Sequence, residues 1–399
     1  MSLSQFLKSK LGAFFIILPY IKPASEITGV FNDVFNLWKM VSAGFIFVCC
    51  FRKKEKISEL PIWCLFLIQV IYFISTCFNL ADIKSAIVQL ISNISILIYL
   101  VWLYNEDEYL AISNFMYPTL FMALLTVLTM FVFYPDGMYQ VSDGNYTEKS
   151  NYLWGFDNTS GMLFVSTMFF LAIHSMYVNK KRTYLKTLAV LIIFFTAFLY
   201  VDAKTTYLMM FFIIIGYVAI IYYKLRLKSL NPRVIIPIIV VLFVFIIFFN
   251  SKFIGIWNYL KKIGKYYSIK ARFNFFDLEF QYIAKSPLWG CGIEEKLISA
   301  KKLYIDHPHN YFMDLLYHGG IMALVSMGLF FFEMIRGKKI KDSISIMAGC
   351  FLATTLIIVM LDFYNEMYLF YPQMAMTFLL LRNRKYILHK KEINSGSRK

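Results

Sequence analysis

His307-Pro308-His309-Asn310-Tyr311-Phe312-Met313-Asp314-Leu315-Leu316-Tyr317-His318-Gly319-Gly320 is the stretch from which the rest of the chain is read. It holds three of the five histidines, and it stands where a long polar segment gives way to an apolar run. A boundary of that kind marks the mouth of a membrane span. An imidazole there titrates near neutral pH and can meet water on one side and lipid on the other.

The run that follows is one of twelve. Apolar stretches read at 9–24, 34–51, 60–80, 84–103, 109–134, 158–178, 184–202, 205–223, 233–250, 311–334, 342–361 and 364–382. About 20 residues rising about 1.5 Å each cross a hydrocarbon core of about 30 Å. Of the 399 residues 59% are hydrophobic and 16% charged, with mean hydropathy +0.61, more apolar surface than a water-soluble chain of this length could hide. The expected fold is all-α: a polytopic membrane protein of about twelve transmembrane helices, one integral membrane domain over 1–399. The run near Leu11 to Ile21 lacks a small-residue cleavage site and reads as a span rather than a leader.

The formal net charge of +16 invites a nucleic-acid partner, but its distribution argues against one. The basic residues fall in short clusters between apolar runs, which is how topology is signalled. With the N-terminus cytoplasmic, 25 Lys and Arg lie inside and four (Lys22, Lys84, Lys149, Lys204) in short outside loops. Ten more lie in the long loop 251–310, and long loops escape the charge rule. Both termini are therefore expected in the cytoplasm and the long loop outside. Asn105-Glu106-Asp107-Glu108 fits poorly, being an inside loop with no basic residue. The cysteines, Cys49, Cys50, Cys64, Cys77, Cys291 and Cys350, show no metal-ligand spacing and read as apolar fillers.

Two outside segments have content. One is 135–157, rich in Asp, Asn, Gly and Tyr. The other is 251–310, where 273–284 reads as a helix with Phe276, Phe280 and Ile283 on one face at i, i+4, i+7. Asp277 and Gln281 point elsewhere, so this helix is expected to lie in the membrane interface, aromatic side down. Pro287 stops it, and Gly290 and Gly292 allow the chain a tight return.

His309 is the first chemical candidate, as a base for an attacking hydroxyl, with His307 a helper on the loop side. The plainer reading is that both histidines are polar anchors of a span. Asn310 can cap the helix that starts beside it. His318 lies four residues after Asp314, so the two can pair on one helix face as structural glue. Arg272, at the N-terminal edge of the loop helix, has the fork that matches phosphate oxygens, or it snorkels to headgroups. Lys204 stands in the short turn Val201-Asp202-Ala203-Lys204-Thr205-Thr206, against the charge rule; it pairs with Asp202 or binds an anion. Asn158 opens a span, as a plain N-cap or as a polar group for a ligand. No nucleotide loop, serine triad, zinc motif or Asp-x-Asp site appears in the outside segments, so neither metal nor cofactor is expected.

Taken in order, several of these segments resemble the O-antigen ligase and O-antigen polymerase superfamily. Arg272, then Ser286-Pro287-Leu288-Trp289-Gly290-Cys291-Gly292, then His309-Asn310 followed by Gly320, is similar to its signature. That signature has an arginine ahead of a Pro-x-x-Gly-x-Gly turn, and a His-Asn pair ahead of a glycine. Where the family continues Gly-x-x-Gly, this chain has Ala323; where many members carry Ser-Arg, it has Lys204 in the turn. The segment ending at Asn158 resembles the family's Asn-containing start of a mid-chain span. The resemblance covers mainly 155–325.

The resemblance implies glycosyl transfer at the outer face of the bacterial cytoplasmic membrane, from a glycan on undecaprenyl pyrophosphate to a sugar hydroxyl. It implies that Arg272 and Lys204 hold the pyrophosphate, that His307, Asn310 and Asn158 line the substrate site, and that part of the active site lies in 251–310. His309 would activate the acceptor for inverting attack at the anomeric carbon, with cations in place of a metal ion. One fixed charge aimed at such a leaving group contributes about 10²–10³ in rate, and a placed base about 10²–10⁴. The expected activity is polymerisation of repeat units for capsule, exopolysaccharide or O-antigen; the alternatives are ligation to lipid A–core, and transport by a flippase. Membrane lipids, a separate flippase and a chain-length regulator are the implied partners. A transporter would want ionisable groups near the midplane of both halves, and Lys39 and Glu333 lie near span ends.

Overall fold

The structure, a computed structural model, describes residues 2–23, 29, 31–53, 59–141, 149–156, 160–201, 203–223, 231–249, 276, 278–293, 298–300, 303–305, 310–336, 342–361 and 367–381. The helices in chain order are α1 (Leu3–Lys8), α2 (Lys10–Ile17), α3 (Phe31–Lys53), α4 (Leu60–Phe78), α5 (Ile83–Glu106), α6 (Glu108–Val132) and α7 (Gly161–Val178). They continue with α8 (Lys181–Tyr200), α9 (Lys204–Ile221), α10 (Pro232–Phe249), α11 (Tyr311–Arg336), α12 (Ser343–Leu361) and α13 (Met367–Leu381). Each of the twelve apolar stretches carries a helix. Eight helices, α3 to α8 with α11 and α12, are long and apolar enough to cross a bilayer, and the apolar parts of α2, α9, α10 and α13 are shorter.

The helices sort by burial. α7 is buried at every position from Gly161 to Met176, as suits a helix that is apolar all round. α3 and α8 expose Val34, Leu37, Leu185, Ile192 and Ile193, an apolar outer face of the kind lipid requires. Buried polar side chains stitch the bundle together. Asn93 Nδ2 donates to Gln69 Oε1 at 2.7 Å, Ser166 Oγ to Gln373 Oε1 at 2.7 Å, and Gln373 Nε2 to Thr355 Oγ1 at 2.6 Å.

The loop without a basic residue has a local explanation. Asp107 caps α6, accepting from Leu110 N at 3.1 Å, and Glu106 meets Lys8 Nζ at 2.6 Å. The compensating cation comes from α1, far away in sequence.

The loops add two small antiparallel sheets that the all-α reading did not contain. β1 (Tyr139–Val141), β2 (Lys149–Tyr152) and β3 (Gly155–Phe156) pair in that order, with Tyr139 opposite Asn151 and Tyr152 opposite Gly155. Trp154 Nε1 donates to Ile21 O and Leu153 N to Thr129 Oγ1, which fasten this sheet to the bundle. β4 (Ile298–Ala300) and β5 (Leu303–Ile305) pair within the long loop, Ile298 opposite Ile305.

Candidate active site

The site is built around the first half of α11. Asn310 starts the helix, its Oδ1 accepting from Phe312 N at 2.9 Å and Met313 N at 3.2 Å, while Nδ2 donates to Met360 O at 2.9 Å. The residue is fully buried. Its amide is therefore committed to the helix start and to the end of α12, as its cap role predicts, rather than turned to a substrate.

Three turns on, α11 breaks. Gly320 has φ 62 and ψ −160, which L side chains do not adopt. A break strands backbone groups, and at membrane depth each must find a partner. The Pro287–Gly292 turn supplies four of them. Cys291 N donates to Tyr317 O at 2.6 Å and Gly292 N to His318 O at 3.2 Å. In return Ile321 N donates to Pro287 O at 2.9 Å and Met322 N to Leu288 O at 3.2 Å. The loop backbone thus replaces a missing helical turn.

The fit leaves no room for side chains at the contact. A Cβ on Gly290 would stand 2.5 Å from Tyr317 O, and one on Gly320 would stand 2.4 Å from the carbonyl of Leu288. Ile293 O accepts from Asp82 N, Ile293 N donates to Thr76 Oγ1, and Gly290 O accepts from Asn79 Nδ2, so the end of α4 holds the same turn. The glycine spacing has a steric basis: Gly290 and Gly320 interlock, and Gly292 fits against the backbone of Thr76 on α4.

Below this joint lies a buried polar cluster. Asp314 accepts from Tyr72 Oη at 3.0 Å and lies 3.1 Å from His318 Nε2, the pairing expected from their i, i+4 spacing. His318 Nδ1 stands 2.7 Å from Gly292 O and can only donate to it. Nε2 then shares a proton with Asp314, as imidazolium beside carboxylate or imidazole beside carboxylic acid. His318 thus ties helix, loop turn and α4 together.

The loop helix, helical at 276 and 278–283, differs from expectation. Phe276 and Ile283 are buried, packed with Cys291, Met313 and Tyr317, while Phe280 is 37% exposed. The third buried position is Glu279, with no exposure at all. The helix rests on protein rather than lying aromatic side down in the interface. Neither oxygen of Glu279 has a hydrogen-bond partner among the described residues, and burial first, then the nearby Asp314, pushes its carboxyl up to about 8. Sequence reasoning missed Glu279. The signal was Phe276-x-x-Glu279-x-x-x-Ile283, an i, i+3, i+7 stripe as good as the one through Phe280.

Of the other predicted site residues, Arg272, His307, His309 and Asn158 lie outside the described residues. Lys204 is the first residue of α9, and its side chain is also outside the described part. α7 begins at Gly161, after Ser160 at the cap position. A Cβ on Gly161 would stand 2.9 Å from Thr206 Oγ1, so the starts of α7 and α9 lie side by side. Among the described residues no group of three His, Cys, Asp or Glu is placed to hold a metal ion.

Residues 189–328 match the family model described as O-Antigen ligase. No curated protein matches the chain. The matched segment contains the Pro287–Gly292 turn, the loop helix and the broken half of α11, which are the parts that interlock. Over residues 189–328 the chain is similar to the O-antigen ligase family, which agrees with the resemblance read from its motifs.

Proposed function

We propose that this protein polymerises undecaprenyl-pyrophosphate-linked repeat units into a surface polysaccharide, at the outer face of the bacterial cytoplasmic membrane. Family members are glycosyltransferase-like enzymes. The observation that carries the reading is the interlock of Gly290 and Gly320, which ties the loop following Arg272 to the helix following His309. In this proposal both termini are cytoplasmic and about twelve helices cross the membrane.

In the reaction, His309 takes the proton of the acceptor hydroxyl as its oxygen attacks the anomeric carbon of the donor glycan. The bond from that carbon to the pyrophosphate oxygen breaks, and undecaprenyl pyrophosphate leaves with the electron pair. Arg272 and Lys204 offset the charge on the leaving group, with His307 and Asn158 at the glycan. A single attack of this kind inverts the anomeric centre. Losing the base removes about 10²–10⁴ in rate, and losing one leaving-group cation about 10²–10³.

Ligation of a finished chain to lipid A–core is the second reading, favoured by the description of the matching family. The test is reconstitution in proteoliposomes with lipid-linked repeat units. Laddered products support polymerisation, a single transfer to lipid A–core supports ligation, and glycan movement across the bilayer without a new bond supports transport. His309→Ala at wild-type polymer yield would remove the base assignment, and Arg272→Ala with unchanged donor binding would remove the pyrophosphate assignment.

A further inference from the structure

Glu279 is the buried titratable group that the reaction above does not use. It has no exposure and neither oxygen has a partner among the described residues, although it sits on the face of the loop helix that packs against α11. Among the described residues, Asp314 of α11 lies near enough to act on its charge, with Tyr72 of α4 and His318 bonded to that carboxylate, while Tyr317 and Cys291 pack with Phe276 and Ile283 of the same helix. α13 brings Tyr371 toward Asp314, and α10 packs Phe243 there. On its own helix, Lys285 lies over the ring of Tyr282, 4.6 Å from its centre, at the exposed end. Asp314 has Tyr72 and His318 to compensate a charge, and Glu279 has neither. An unpartnered carboxylate in such a place takes up a proton instead.

We infer that Glu279 is a positioning residue: as the neutral acid it seats the loop helix on α11 beside Asp314, and its ionisation unseats that helix. The segment it seats leads directly from Arg272 into the Pro287–Gly292 turn. The consequence for activity rests on the polymerase reading; the docking itself does not.

The direction with pH follows from linkage. In water Glu279 would lose its proton near the ordinary carboxyl value of 4.5, and docked it keeps that proton to about 8. The docked form binds the proton more tightly. Docking is therefore strongest below the ordinary value, weakens as pH rises through neutrality, and is weakest above about 8.

Cys291, buried in the same cluster, reports the docking. The experiment uses the full chain in lipid nanodiscs with Cys49, Cys50, Cys64, Cys77 and Cys350 replaced by alanine. The maleimide reaction rate of Cys291 is divided by that of an unstructured cysteine peptide at the same pH, from about pH 5 to about pH 9, which removes the pH dependence of the thiol itself. The ratio is expected to rise at least several-fold with pH, and to stay low and flat in E279Q and E279L, which have no such proton to lose. A flat ratio in the parent, or an unchanged rise in both variants, overturns the inference. Polymer synthesis run in parallel is expected to decline on the alkaline side in the parent and less so in E279Q. If E279Q abolishes synthesis while Cys291 stays protected, Glu279 acts on substrate and the positioning role is wrong. If the labelling behaves as expected and no preparation makes polymer, the docking stands and the polymerase reading falls.

Discussion

α7 is buried along almost its whole length and α11 through most of its first half, yet they close their backbones in different ways. α7 runs unbroken from Gly161 to Val178 and ends on Asn179 in the left-handed region (φ 50, ψ 40), whose N–H returns to Ser175 O. α11 opens at Gly320 and is completed by backbone groups of Pro287, Leu288, Cys291 and Gly292. A helix that makes its own hydrogen bonds asks of its neighbours only a compatible shape. A broken helix asks for particular atoms from one particular loop, and so couples the fold to the site. A glycine means different things in the two settings: Gly161 faces the side chain of Thr206, and Gly320 faces the backbone of Leu288.

The harshest way to break this contrast is Gly320→Ala. The conformation is open only to glycine, a strain of about 1–3 kcal/mol for another residue. The added Cβ would also stand 2.4 Å from the carbonyl of Leu288, which is held by Met322 N and cannot rotate aside. Together these should cost at least about 3 kcal/mol. The expected outcome is a sharp fall in folded yield and melting temperature in detergent.

Asp314→Ala comes next. It leaves the Tyr72 hydroxyl and His318 Nε2 buried without their partner, at about 1–3 kcal/mol for each such group. Asp314→Asn keeps the shape, with its oxygen for Tyr72 and its amide for an imidazole Nε2, and should recover most of the loss in thermal unfolding. Asn310→Ala should be milder, about 1–2 kcal/mol for a lost helix cap. Asn310→Asp separates its two duties: it still caps α11, but it cannot donate to Met360 O, so in the same unfolding assay it should rescue only part.

These residues show what a linear reading can reach. The apolar runs located α2 to α13, because about 20 apolar residues can do little else, and missed only the short α1 at Leu3–Lys8 among the thirteen described helices of the bundle. The cap at Asn310 and the Asp314–His318 pair were legible because both are local, within one turn or so of helix. The break at Gly320 was not. Nothing along α11 says that four stranded backbone groups will be met by a turn some 30 residues upstream. The loop helix failed for a related reason. Over two turns, stripes through Phe280 and through Glu279 fit equally well, and a carboxylate is assigned to water by default. The surface of Met313 and Tyr317 that takes Phe276 and Ile283, on the face that also carries Glu279, exists only after the loop has docked.

Within α7 the expected effects are smaller. Ser166→Ala removes a hydrogen bond to Gln373 Oε1 but leaves Gln373 Nε2 on Thr355, and such bonds between membrane helices average about 0.6 kcal/mol. Its unfolding midpoint should drop slightly, far less than that of Asp314→Ala.

Gly161→Ala should be smallest of all, and it tests the comparison most directly because the clash distance resembles that at Gly320. The new Cβ would stand 2.9 Å from Thr206 Oγ1 and 3.3 Å from Cγ2, both atoms at the end of one rotatable side chain. Gly161 has an ordinary negative φ, so alanine is admitted without strain. Relative to glycine it gains up to about 1 kcal/mol in helix propensity, less at the first position of a helix. Turning Thr206 opposes that gain, and the net change should stay within about 1 kcal/mol of zero. In a Thr206→Ala background the obstacle is gone, and Gly161→Ala should become stabilising. If the double variant remained as destabilised as Gly320→Ala, the distinction between glycines that face side chains and glycines that face backbone would fail, and α7 would be as dependent on its neighbours' atoms as α11.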